Sequence, residues 1–453
     1  KREIDIAALD AYLTFGYVPE ENCILKNVNK LPPGRFLIFK GGQVTTEKYW
    51  DFDYAEPQNI KTEAEYAEIL REKIRESVKI RLISEVPLGA FLSGGVDSST
   101  IVAMMSQGSD SPVKTFSIGF KEDSFDELKY ARIAAKHFGT DHHEFIVTPD
   151  LFDLVDELVW HFDEPFSDPS SLPTYMLSKM AREHVTVVLS GDGGDELFAG
   201  YSRYVINEKR RGFAKLPRSV RQGVLRSISS RLPHGARGKN YLYNISLDST
   251  DRYIDSVSCF NGPKKESLYS DGFRNRLNGS FWKSEQDFRA FADSVSTGND
   301  IDKLLYLDSK TYLPGDILTK VDRMTMANSL EARMPLLDHE LIELVVGIPS
   351  NLKMKGLETK HILKKAMEGI VPDEILYREK QGFGVPIGEW INIQLRDRIV
   401  GDLGDRRTLE RGFFNVGYIQ TLLKEHSTGR RDHSHALWVL WMFELWQRKY
   451  IDR

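Results

Sequence analysis

The stretch PLGAFLSGGVDSSTIVAMM, residues 87–105, decides the architecture. GAFLS (89–93) is an apolar run of strand length. It passes through Ser93, Gly94 and Gly95 into Asp97, Ser98 and Ser99, which open a helical run over 98–107. This order makes an anion cradle. Glycines let the backbone come close, hydroxyls donate hydrogen bonds, and the helix N-terminus adds partial positive charge. The GxxxxGK[ST] spacing and its lysine are absent, so it is not a Walker loop. Asp97 is the informative residue, because a bare carboxylate repels phosphate whereas one holding Mg²⁺ binds it. The plain alternative is a strand-to-helix turn capped by Asp97 and Ser98.

The same alternation repeats on the C-terminal side. VKTFSIGF (113–120) precedes a helix over 126–138, HHEFIV (142–147) one over 150–162, and VTVVLS (185–190) a loop and helix. Apolar strands alternating with amphipathic helices predict an α/β fold with a doubly wound parallel sheet. The strand 185–190 runs into SGDGGDELFAG, where Asp192, Asp195 and Glu196 lie close on a glycine-rich loop. Such carboxylates repel one another unless a cation or ligand sits among them. Ligands in open α/β sheets bind beyond the carboxyl ends of strands, so the two loops together predict a Mg²⁺–nucleotide site.

Upstream, a helix is expected over 3–15, then turns and strands in KLPPGRFLIFKGGQVTTEKYWDF (30–52). This β-rich piece is too small to hold its own core. A polar linker (55–66) leads into a long helix over 63–83. Beyond 205 the chain turns helical, with helices expected over 301–313, 316–330, 338–347, 358–368, 385–398, 415–426 and 434–449. Residues 208–239 carry ten Lys/Arg against one acid, Glu208, and read as a flexible surface loop. The apolar run ALWVLWMFELW (436–446) is shorter than the roughly 20 residues of a membrane span and reads as a buried helix.

The 453 residues are enough for two or three domains. Lys+Arg total 61 against 66 Asp+Glu, a charge of −5, with 41% hydrophobic and 28% charged residues. These ordinary values exclude disordered, collagenous or mucin-like chains and argue against a general nucleic-acid coat. Cys23 and Cys259 are the only cysteines, so a disulfide framework and a cysteine zinc site are excluded and a reducing, cytoplasmic compartment is expected. His142, His143, His433 and His435 lack the carboxylate spacing of a metal site. Residue 1 is lysine, and KREIDIAALD has neither a signal-peptide core nor a cap before its helical pattern. It reads as the start of a fragment or processed form.

SGGVDSS (93–99) resembles the pyrophosphate loop of the ATP-pyrophosphatase (PP-loop) superfamily. With SGDGGDE (190–196), TFSIGF (115–120), LTKVDRMTMANSLEARMPLLD (318–338) and YREKQGFGVPIGEW (377–390), the resemblance narrows to glutamine-dependent asparagine synthetases. It implies a synthetase domain over 58–453, preceded by residues 1–57 as the tail of a glutaminase domain. Ser93, Gly94, Gly95, Asp97, Ser98 and Ser99 match the pyrophosphate loop, and Asp97 and Asp195 the magnesium carboxylates. Phe91 and Ile118, with Ser117 and Gly119 adjacent, fall where the family packs adenine. Ser190 and Gly191 begin the loop that faces the acyl-adenylate. Asp192 stands where several asparagine synthetases have glutamate. Lys380 matches the lysine that neutralises departing pyrophosphate. Glu196, Asp322, Arg323, Glu331 and Arg333 are expected on the acceptor side, although Asp322, Arg323, Glu331, Arg333 and Asp338 also suit a salt-bridge network. The glycine-rich loop 381–384 is a lid candidate.

The resemblance implies two steps, adenylation of a carboxylate by MgATP and then attack of ammonia to give an amide and AMP. The expected acceptor is the aspartate side chain, with ammonia taken from glutamine. The family's glutaminase uses an N-terminal cysteine. Lys1 stands first here, so this chain is not expected to hydrolyse glutamine, and the rest of a glutaminase domain is an implied partner. The family often dimerises. Three alternatives stay open. One is amidation of another carboxylate, on a cell-surface or secondary-metabolite molecule or in closing a β-lactam ring. Another is a tRNA-modifying PP-loop enzyme using the basic run, and the third is a scaffold that has lost its chemistry.

Overall fold

The computed structural model describes residues 2–19, 21–54, 60–120, 128–147, 154–232, 236–295, 297–380 and 384–452. Helix α1 (Ile6–Phe15) starts later than the expected 3–15 because Asp5 caps it, accepting from the Ala7 and Ala8 amides. The cap missing from the sequence reading is therefore present, inside the predicted helix. Strands β1 (Arg35–Lys40) and β2 (Gln43–Lys48) pair only with each other, as an antiparallel hairpin around Gly41 and Gly42. The linker at 55–59 lies outside the described residues.

Helix α2 (Glu63–Arg81) opens on a capping box, with Thr62 and Glu65 each satisfying the other's backbone amide. Then come β3 (Leu88–Phe91), α3 (Val96–Gln107), β4 (Lys114–Gly119), α4 (Leu128–Phe138), β5 (Asp141–Ile146), α5 (Val155–Phe162), α6 (Ser171–Ala181), β6 (Val187–Leu189) and the single turn α7 (Gly194–Leu197). With β7 (Glu331–Arg333) they build a five-stranded, wholly parallel sheet of order β5-β4-β3-β6-β7. Its two faces bury alternate residues. Val187 and Leu189 pack with α2 and α3, while Val188, Phe116 and Ile118 pack towards α6. Helices cover both faces, as the sequence pattern predicts.

One expected helix is corrected. Residues 316–330 are not one helix: a π-helical turn (Leu313–Leu318) runs into a helix over Thr319–Met326, and Ser329, three residues on, takes φ 56°. The chain then turns back and adds β7 to the edge of the sheet. Local helix propensity loses here to a free sheet edge, which takes the Glu331 amide onto the Thr186 carbonyl. The predicted helix 385–398 is likewise two helices, Ile387–Asn392 and Arg396–Gly404.

The terminal helix Ser434–Tyr450 is buried over Leu437–Gln447, and its tryptophans seat the core of the helical part. Helix α1 belongs to that same core, where the Tyr12 hydroxyl donates to the Val439 carbonyl at 2.8 Å. Beneath it, Asp10 meets the fully buried Lys265 at 3.1 Å and accepts from Tyr269 and Ser284 at 2.7 Å each. Among the described residues no helix is long and apolar enough to cross a membrane.

Candidate active site

Strands β3 and β6 are neighbours, so the loops that follow them meet at one end of the sheet. Gly94, at φ 70°, takes the backbone through a turn that L side chains rarely adopt, hard against the Tyr130–Ala131 backbone. The second loop lies directly on the first. A Cβ on Gly191 would stand 2.7 Å from the Ser98 amide nitrogen, and one on Gly194 would stand 2.5 Å from the Asp97 carboxylate. The first loop is braced from within. Ser93 Oγ and Ser98 Oγ lie 3.0 Å apart, and the Ser93 amide donates to Ser98 Oγ at 3.2 Å. No side chain caps α3, which leaves its first-turn amides to an anion.

A cavity of about 550 Å³ opens over these loops. Of the expected residues, Phe91, Ser93, Gly95, Asp97, Ser98, Ser117, Ile118, Ser190, Gly191, Asp192, Asp195, Glu196 and Lys380 line it. Gly94, Ser99 and Gly119 stand behind that lining. Residues 381–383 of the expected lid fall outside the described residues.

The acidic end of the cavity contains a group that sequence reasoning missed. Lys360, 6% exposed, lies between Asp97 and Asp195, with its ammonium 2.5 Å from Asp195 and also paired to Asp97. Lys380 pairs with Asp195 as well, and its ammonium sits 4.6 Å from the centre of the Tyr201 ring. Burial pushes the Asp97 carboxyl up, against the pull of Lys360. Burial acts on Asp195 in the same sense, but Lys360 and Lys380 outweigh it and hold that carboxyl well below the usual range. Burial opposes the Lys360 charge, yet Asp195 and Asp97 hold its pKa above the ordinary value. Lys380 is pushed down by burial and by Lys360. Glu196 accepts from the Tyr201 hydroxyl at 2.6 Å, and burial, helped by Asp195, raises it to about 7. Burial also raises Asp192, whose carboxylate takes the Ser190 hydroxyl.

One signal for Lys360 was available in LETKHILKK (357–365). A lysine at the N-cap of a helix (His361–Met367) faces the positive end of the dipole. A non-glycine residue at φ 55° is a second mark of a constrained site.

The opposite end also differs from expectation. Asp322, Arg323, Glu331 and Arg333 are not among the lining residues. Arg323 pairs with Asp163 on the surface, and Arg333 binds Glu331 and the carbonyls of Arg81 and Ile83. Asp338 pairs with Arg81 and caps the next helix. Ion pairs of the kind the salt-bridge alternative expects are made by Arg323, Glu331, Arg333 and Asp338, and those of Glu331 and Arg333 lie at the sheet edge. The cavity wall is instead Asp168, Ser170 and Lys320. Lys320 Nζ lies 2.7 Å from Asp168 and 2.9 Å from Ser170 Oγ. Asp168 is half-buried, and Lys320 outweighs the cost of desolvation to hold its carboxyl low.

Residues 69–448 match the asparagine synthase family, and residues 1–50 match a glutamine amidotransferase domain. The chain belongs to the asparagine synthase family. It is 35% identical to asparagine synthetase (glutamine-hydrolyzing) 1 of Bacillus subtilis, over all of this chain and 70% of that protein. Identity to a putative asparagine synthetase of Mycobacterium bovis is also 35%, over 99% of this chain and 68% of the relative. A fungal family relative, the amidase chyE of Penicillium rubens, is 28% identical over 84% of this chain and 64% of its own.

Proposed function

We propose that this asparagine synthase family chain adenylates a carboxylate with ATP, most simply the side chain of aspartate, and then forms the amide with ammonia. The observation that carries the proposal is the juxtaposition of the two Ser-Gly loops, with Asp97 and Asp195 facing one buried cation. Adenine fits between Phe91 and Ile118, beside Ser117, and the phosphates fit the Ser93–Ser99 cradle at the open N-terminus of α3.

Asp97 and Asp195 are the residues proposed to hold Mg²⁺. Asp97 Oδ1 is buried without a hydrogen-bond partner, and Mg²⁺ characteristically takes one or two carboxylates plus substrate phosphates. When bound, it neutralises phosphate charge and polarises the reacting phosphoryl oxygens. Lys360 and Lys380 present ammonium groups where charge builds on the departing pyrophosphate. Ser190, Gly191 and Asp192 border the acyl-adenylate. Glu196, poised near neutrality, can accept a proton from the attacking ammonia.

The acceptor end combines opposite charges. Asp168 and Lys320 suit the ammonium and carboxylate of an amino acid, with Ser170 as a further donor. This supports aspartate, as do the relatives named glutamine-hydrolysing asparagine synthetases. The domain reading 1–57 and 58–453 goes with a glutaminase half that supplies the ammonia in a cytoplasmic setting.

Exchange of labelled pyrophosphate into ATP tests the proposal. Aspartate is expected to drive exchange, and its absence with aspartate removes that acceptor. Asp168→Asn is expected to raise the aspartate KM about tenfold or more with the ATP KM unchanged, because one charge-assisted bond is lost. Equal KM values would place the acceptor elsewhere.

The nitrogen source gives a second expected result. Burial raises the Cys23 thiol and pushes Cys259 up to about 11, so neither is an activated nucleophile. The 453-residue chain should therefore form amide from ammonium salts and not from glutamine; glutamate release from glutamine would contradict this.

A second cavity of about 550 Å³ shares Asp168, Ser170 and Gly384 with the first and continues past Glu389 and Asp432. It has room for an acceptor larger than aspartate, which favours the other-carboxylate reading as the runner-up. A panel of acids in the same exchange assay separates the two.

A further inference from the structure

The basic run 208–239, expected as a loop, is largely helical. A π-helical turn (Ser219–Leu225) continues without a break into an α-helix (Arg226–Arg231). Two arginines fasten the segment to the body. Arg221 pairs with Asp248 at 2.8 Å and donates to the Leu247 carbonyl, and Arg210 donates to Asn244 at 2.5 Å. The opposite side is not used by the fold. Val220, Val224 and Ile228 are 36%, 52% and 44% exposed, and Leu216, just before the helix, is 38% exposed. Side chains four apart share a helix face, so Val220, Val224 and Ile228 form one stripe, with the extended Leu216 exposed just before it.

Lys215, Arg218 and Arg231 are exposed near the stripe, whereas Arg226 turns to the other side of the helix and stands over the Tyr243 ring. The one acid in the run, Glu208, is taken by Arg211. The whole chain carries −5, so this excess of cations is local. An apolar stripe bordered by arginines is the pattern of a helix that lies in the headgroup plane of an anionic bilayer. Nucleic acid fits the face less well. Four aliphatic side chains serve no phosphate backbone, and the nearby rings of Phe213 and Tyr241 pack edge-on against each other rather than standing free to stack. No helix among the described residues is long and apolar enough to cross a membrane.

We infer that the face formed by Leu216, Val220, Val224 and Ile228, with its bordering arginines, docks this protein on an anionic lipid surface. The inference is independent of the acceptor and of the nitrogen source. The test is co-sedimentation of the 453-residue chain with phosphatidylcholine vesicles, with and without phosphatidylglycerol. Binding is expected only to the anionic vesicles, and it should weaken about fivefold for each of Arg218→Gln and Arg231→Gln. Val224→Ser with Ile228→Ser, which keeps every charge, should also weaken binding while pyrophosphate exchange is unchanged. Equal sedimentation with both vesicle types, or with neither, overturns the inference. So does binding indifferent to the Val224 and Ile228 substitutions, which is charge adsorption alone. A chain that shifts tRNA and ignores vesicles assigns the face to nucleic acid and overturns it as well. The vesicle comparison uses the unsubstituted protein and decides the question even if a variant misfolds.

Discussion

An Asp97→Asn enzyme is expected to release pyrophosphate about 10³-fold more slowly than the parent, the scale of losing one preorganised charge at a reacting phosphate. The substitution keeps the shape of the side chain but removes its charge. Lys360 then pairs with Asp195 alone, and the phosphate end of the cavity becomes more positive by one unit. ATP binding should therefore survive, or tighten when Mg²⁺ is withheld, while turnover is lost. Calorimetric titration with ATP beside a pyrophosphate-release assay separates the two effects. Turnover equal to the parent's would remove Asp97 from the metal site.

Lys360→Met should have the second large effect, this time on the fold as well as on the chemistry. Without the ammonium, Asp97 and Asp195 face each other in a buried site, each without its main compensation. Removing one member of a buried charge group costs about 3–5 kcal/mol, and Lys360 is nearly inaccessible to solvent. In urea melts at neutral pH without divalent cations, the variant should lose stability of that order. Mg²⁺ should restore part of it, since it supplies the charge that was removed. Acidification should also narrow the gap. The carboxyl pKa values rise in the variant's folded state, so its penalty is fullest at high pH and fades as pH falls through them. A variant as stable as the parent in metal-free buffer, or indifferent to Mg²⁺, would show that Lys360 does not act as the counter-ion.

The parallel sheet was legible because hydrophobic runs and glycine loops are local signals, and the two Ser-Gly loops are local as well. Lys360 was not visible as a site residue because its importance lies in facing carboxylates more than 160 positions away in the chain. The only local trace is a cation where a helix dipole disfavours one. Residues 318–338 misled for the opposite reason. The pattern reads as one helix over 316–330 and the resemblance puts acceptor contacts on Asp322, Arg323, Glu331 and Arg333, whereas sheet completion takes Glu331–Arg333 and Lys320 and Val321 line the cavity. The basic run was underread because Leu216, Val220, Val224 and Ile228 sit among glycine and proline, which suggest a loop.

Asp10 and Lys265 carry a consequence for how such proteins are assembled over evolution. The family match to the glutaminase side ends at residue 50, and the match to the synthetase side begins at residue 69. A recombination event at that seam would exchange one inherited module for another. Yet the seam is not where the physical unit divides, because Asp10 comes from the first module and Lys265 from the second. A transplanted synthetase module would arrive with an interior lysine left to Glu285 alone and a tryptophan-lined core lacking a wall. Inheritance and folding thus divide this chain at different places, and successful grafts between family members should carry the α1 helix with the synthetase.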